Sequence, residues 1–173
     1  MRIFIFVLMF FVCNPLYAKT TTPAKRIEEL TNKINNGPTM ELYLSRARAY
    51  IDKKEYSSAI YDLDKVIRED NYHLEAYVLK AKADFFNNNY RSAKKSLNEV
   101  FSGITYDLYK GTSNNLFAEA YYIRSQIKKS EDDESWQADY DKAISMGYKE
   151  ESLDENKAEK SNTQNSFKYP NRL

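Results

Sequence analysis

Two groups of carboxylates stand close enough in the sequence to act together: Asp62 with Asp64, and the run Asp132-Asp133-Glu134. A positioned pair of carboxyls is the equipment of general acid–base hydrolysis. Here both groups fall on helical patterns or at their starts, where charge is expected to be solvated, so neither reads as a catalytic pair. His73 is the only histidine, and it lies in the turn-like stretch Asn71-Tyr72-His73. It reads as a surface residue and not as a base or ligand. Cys13 is the only cysteine, which leaves no pair for a disulfide or a cysteine metal site. No glycine-rich phosphate loop, serine elbow or two-histidine helix occurs. The expectation is a protein with no catalytic residues, no cofactor and no metal.

Composition supports the same class. The 173 residues carry a formal net charge of +1, so a nucleic-acid footprint is not expected. Glycine and proline number four each, against 15 tyrosines. Sparse punctuation favours long helices over a many-turned sheet protein.

The elements show themselves as a repeat. Residues 40–66 align without gaps on 74–100, with identities Glu41/Glu75, Tyr43/Tyr77, Ala47/Ala81, Ala49/Ala83, Tyr56/Tyr90, Ser58/Ser92, Ala59/Ala93, Leu63/Leu97 and Val66/Val100. The offset is 34 residues, a period that signals stacked repeats. Tyr43, Ala47 and Tyr50 recur at helical spacing, as do Tyr56, Ala59, Leu63 and Val66. A short polar turn, 52–55 or 87–89, separates the two patterns. Each unit is therefore expected to be two antiparallel helices. Alanines at 47, 59, 81 and 93 would let the backbones approach closely.

A third unit is weaker. Residues 118–127 resemble 42–50, with Tyr121 matching Tyr43 and Arg124 matching Arg46. Residues 136–148 bring Tyr140, Ala143 and Ile144 onto Leu63, Val66 and Ile67. Trp136 then falls on Ala59, and its ring predicts irregular packing of this pair. Ser130 with Asp133 resembles a helix-start cap, and Gly147 a helix stop. Between units, Val100, Phe101, Ile104 and Leu108 continue the face of Leu97. The second helix of unit two is thus expected to run past Gly103 to about Tyr109, with an irregular loop as the alternative.

The unit resembles the tetratricopeptide repeat. Tyr43, Ala47, Tyr50, Tyr56, Ala59, Leu63 and Val66 occupy that family's aromatic, small and large apolar places, as do Tyr77, Ala81, Tyr90, Ala93, Leu97 and Val100. Asp84 departs, standing where Tyr50 stands, and the closing proline is absent from both units. The resemblance implies an all-α, right-handed superhelical stack of antiparallel helix pairs, with repeats at about 40–73, 74–110 and 117–148. It also implies a concave face lined by the first helix of each pair. By helical phase that face carries Glu41, Leu44, Arg48 and Asp52, then Glu75, Val78, Lys82, Phe85 and Phe86, then Glu119, Tyr122 and Gln126. Arg48 and Lys82 sit one repeat apart. The set of Lys, Asn and Arg with which some members of the family grip a terminal carboxylate is not reproduced, and the same residues could form a plain solvated face.

The flanks complete the organisation. Residues 24–37 place Ile27, Leu30 and Ile34 on one helical face, a capping helix for the stack. Met1–Ala18 has one basic residue, an apolar run from Ile3 to Cys13, and a small-residue end at Ala18, the pattern of a secretory signal. Eleven apolar residues fall short of the roughly 20 needed to span a bilayer. An exported protein, periplasmic or secreted, is expected. Acylation at Cys13 is a weaker reading because Val12 precedes it, and a retained anchor is the third. Residues 149–173 are polar and aperiodic and read as disordered. The function expected is a non-enzymatic scaffold that binds a protein or peptide in the cell envelope. A structural subunit docked permanently in a larger complex is the alternative, and an enzyme with an unrecognised site is the third reading.

Overall fold

Within residues 22–149, which the computed structural model describes, every regular element is a helix. Helix α1 (Pro23–Asn36) starts where the Thr22 hydroxyl accepts the Lys25 N–H and Pro23 takes the first turn, where its missing donor costs nothing. Thr39 caps α2 (Met40–Asp52) in the same way through Leu42. Helices α3 (Tyr56–Glu69) and α4 (Leu74–Phe86) follow, then α5 (Tyr90–Val100), α6 (Gly103–Tyr109), α7 (Asn114–Ser130) and α8 (Trp136–Ser145).

One turn recurs three times. Lys54, Asn88 and Asp132 adopt left-handed backbone at φ 64°, 59° and 57°. After each, an N–H reaches back five residues: Glu55 to Tyr50, Asn89 to Asp84, Asp133 to Lys128. That bond closes α2, α4 and α7 and reverses the chain. Lys65 reaches Tyr43 while Arg46 reaches Asp62. The numbers fall on one helix as they rise on the other, so α2 and α3 run antiparallel. Gly147, at φ 88°, ends α8 by the same device, with the Tyr148 N–H on the Ala143 carbonyl.

Two cores lie on either side of α4. Leu44 and Ala47 of α2, Ala59, Leu63 and Val66 of α3, and Ala76, Leu79 and Ala83 of α4 form one. Leu74, Val78 and Ala81 of α4 pack with Ala93, Leu97 and Val100 of α5 and Phe117, Ala120, Ile123 and Ile127 of α7 in the other. Alanines 47, 59, 81 and 93, which the units repeat, are fully buried within these two cores. Helix α1 docks on α2 through buried Leu30 and Ile34, and Arg46 donates to the Thr31 hydroxyl at 3.0 Å.

Three expectations need correction. The second helix of unit two stops at Val100. The Ser102 hydroxyl accepts the Thr105 N–H at the start of a separate helix, α6. Thr105 is buried there, while Ile104 and Leu108 are 58% and 60% exposed and do not continue the face of Leu97. Ser130 is no N-cap: it ends α7, and its hydroxyl donates to the Ile127 carbonyl. Trp136 begins α8, so its ring lies at the helix edge against Tyr140, with the Lys129 ammonium over it, and does not wedge the pair apart. The expected secretory segment, Cys13 and the polar stretch beyond Lys149 fall outside the described residues.

Candidate partner-binding face

Residues proposed from helical phase divide into three groups. Leu44 and Val78 are buried in the two cores. Each shares a stripe with an alanine three residues on, Ala47 and Ala81, and that stripe is the packed one. Tyr122 is also buried, its ring stacked on Tyr148 at 4.3 Å and tilted against Tyr140 at 6.2 Å. These three are not open to a partner.

The charged members join the helices to one another. Arg48 Nε on α2 donates to Glu75 Oε1 on α4 at 2.9 Å, and its NH2 group bonds the same oxygen. Lys82 Nζ on α4 meets Glu119 Oε1 on α7 at 2.7 Å. Glu41, three-quarters exposed at its side chain, lies 3.9 Å from Arg48. Bases at equivalent positions thus reach acids at equivalent positions on the next unit. Gln126, at the matching place in unit three, is uncharged. It ends this rail without a stranded cation. Asp52 is exposed at the end of α2.

The aromatic members are half-buried. Phe86 stacks on Tyr56 at 5.6 Å, and Phe85 packs against Phe86 at 5.4 Å and Tyr90 at 5.7 Å. They fasten the end of α4 to the starts of α3 and α5, with one side of the cluster left open. The face of α2, α4 and α7 is therefore a polar rail with an aromatic end. Arg48 and Lys82 are engaged within the molecule and are not idle cations.

A stronger constellation lies between the helices of a unit. Arg46 grips Asp62 through two parallel bonds of 2.7 and 2.8 Å. Asp62 is fully buried, which corrects its reading as a solvated acid. The hydrogen bond to Asp62 holds the Arg46 guanidinium above its ordinary pKa. The Tyr43 and Tyr50 rings flank that guanidinium. Arg124 grips Asp139 in the same way at 2.8 and 2.5 Å, with Lys128 adding a third contact at 2.9 Å. Removing Arg46 would cost about 3–5 kcal/mol, because it leaves the Asp62 charge buried without its ionic partner. The available signal was an Arg on the first helix answered by an Asp 15 or 16 residues on, in units one and three.

Unit two lacks that Asp. Ser96 stands in its place, and the carboxylate has moved to Asp84 on α4. Asp84 is buried, 3.5 Å from Lys80, and accepts from Ser92 Oγ at 2.7 Å and Asn89 Nδ2 at 3.3 Å. This explains the departure at the position of Tyr50. Among the described residues every buried side-chain polar atom has a partner. No group of three His, Cys, Asp or Glu there is placed to hold a metal. His73 caps α4, its Nδ1 accepting the Ala76 N–H at 3.2 Å. Among the described residues no helix is long and apolar enough to cross a membrane. Compared with known proteins, the chain matches no family model and no curated relative.

Proposed function

We propose that the chain is a tetratricopeptide-like scaffold, a superhelical stack of helical hairpins that binds a protein or peptide of the cell envelope without catalysing a reaction. The observation that carries this is the continuous side-chain rail across α2, α4 and α7, fixed by Arg48–Glu75 and Lys82–Glu119. Such a rail is pre-organised, so a partner laid along it would meet ordered groups and little ordering cost. The open edges are Glu41, Asp52, Gln126 and the outer side of Phe85 and Phe86. Export directed by Met1–Ala18 belongs to the same proposal. The paired state of Arg48 and Lys82 favours the second reading to that extent: these charges serve the stack, as in a subunit docked permanently without a groove ligand.

Photo-crosslinking in the native host tests the proposal. A crosslinking residue replaces Asp52 or Gln126 on the rail, or Glu69 at the end of α3 as the control. Adducts at 52 and 126 and none at 69 are expected. Several adducts of low yield fit a groove, and one stoichiometric adduct fits a permanent complex. Adducts at 69 alone would overturn binding through this face.

A further inference from the structure

The two junctions between units are built differently. Helix α4 nestles against α3, whereas α7 leans on α4 more than on α5. Residues 101–113, with α6, are inserted at that second junction. A cleft of about 550 Å³ is left between α5 and α7 and is closed at one end by the turn before α8. Leu97 and Ile127 lie beneath it. Lys128 follows Glu119 by nine residues, about half a turn round α7 at 100° per residue. The cleft and the rail therefore occupy opposite sides of that helix.

Its walls are mainly cationic. Arg91, Lys94 and Lys95 line it from α5, and Arg124 and Lys128 from α7. Glu131 and Asp133 are the acids at its end. Arg124 and Lys128 are committed to Asp139, and Lys94 meets Glu131 at 2.7 Å. Among the described residues no acid stands within 4.0 Å of the charged end of Arg91 or Lys95, whereas Lys94 beside them is paired. The stack does not require cations here: one repeat earlier, Ser57, Ile60 and Tyr61 hold the places of Arg91, Lys94 and Lys95.

We infer that this cleft docks an extended acidic segment of a partner protein, with Arg91 and Lys95 as its anchors. Residues four apart on a helix stand roughly 5–6 Å apart at Cβ. Alternate residues of an extended strand stand about 6.6 Å apart and point the same way. Two carboxylates separated by one residue therefore match the two unpaired cations. The inference is independent of the rail, since it uses neither its residues nor its side of α7.

The test is fluorescence anisotropy on the full chain with a labelled synthetic peptide alternating Glu and Thr, and a Gln–Thr peptide as the neutral control. Saturable binding of the acidic peptide at low salt is expected, weakening as salt screens the exposed charges. Arg91→Glu with Lys95→Glu should lower affinity at least about tenfold with unchanged circular dichroism. Lys25→Glu with Arg26→Glu on α1 makes the same change in net charge and should lower it less than about twofold. Equal losses in the two double variants would overturn the site, as would equal binding of the two peptides or no binding at all. A single-stranded oligonucleotide binding more tightly than the peptide would overturn the choice of partner. So would a tenfold gain on neutralising Glu150, Glu151, Asp154 and Glu155, which would make the chain itself the occupant, or a dimer whose dissociation is needed for binding.

Discussion

Arg46–Asp62 and Arg124–Asp139 show how two residues can fix the register of a helical hairpin. A guanidinium forks onto a carboxylate only when both bonds are in line, so sliding one helix against the other would break both bonds of the fork. The Asp139 carboxyl makes this measurable. Burial pulls its pKa up, but the hydrogen bonds from Arg124 and Lys128 outweigh burial, and the net shift is downward from 3.8. A carboxyl lowered in the folded state contributes stability that is whole above its unfolded value and is lost as pH falls through the folded one. Asp139→Asn removes this contribution. The gap in unfolding free energy between the native chain and the variant should be constant above about pH 5 and shrink as pH falls below 3.8. Denaturant titrations at a series of pH values check it. A gap that stays constant down to pH 3 would show that the pair does not hold Asp139 ionised. The recurring Arg and Asp spacing alone does not reveal the clamp, because an Asp near another Asp on a helical pattern looks the same whether it meets water or an arginine on the neighbouring helix.

At the scale of helices, more was legible. The 34-residue offset and the 3.6-residue stripes located both helices of units one and two, and the alanines marked where they cross. Ala93→Leu should accordingly overpack α5 against its neighbours and cost about 1–3 kcal/mol. Asn98→Leu, exposed on the same helix, should stay within about 0.5 kcal/mol. Ser92 would be a poor control, since its hydroxyl bonds buried Asp84. Similar shifts in denaturant midpoint for Ala93→Leu and Asn98→Leu would contradict the packing. The break between α5 and α6 escaped the periodicity because the apolar spacing runs on through Ile104 and Leu108. The backbone becomes extended at Ser102, whose hydroxyl caps the new helix. Helical phase assigns Leu44 and Val78 to the concave face for a related reason, although both are buried. Helical phase gives an angle, and the line between core and solvent depends on the neighbouring helix.

Across the whole molecule the organising element is α4. Among the described residues it is the one helix that contributes side chains to both buried clusters, Ala76, Leu79 and Ala83 to one and Leu74, Val78 and Ala81 to the other. It also takes Arg48 from the unit before through Glu75 and reaches the unit after through Lys82. In the stack proposed above, whose units would touch only their neighbours, stability would sum from units and junctions, and the element sharing two junctions would open last. The outer helices are held from fewer sides: α1 by Leu30, Ile34 and the Thr31 bond, and α6 by Thr105, by half-buried Tyr109 against the second core and by the contact of Tyr106 with Phe117 at 5.3 Å. Native-state hydrogen exchange should therefore rank the amides in three tiers. Those of α6 should exchange first, followed by α1 and the end of α8. The middle of α4, from Tyr77 to Ala83, should exchange last and through opening of the full stack. Val78→Ala, which removes packing at the second junction, should speed exchange in α5 and α7 more than in α1 and α2. Equal protection of α1 and α4, or a Val78→Ala effect spread evenly along the chain, would show that the molecule opens as one cooperative body and that its units do not act as separable layers.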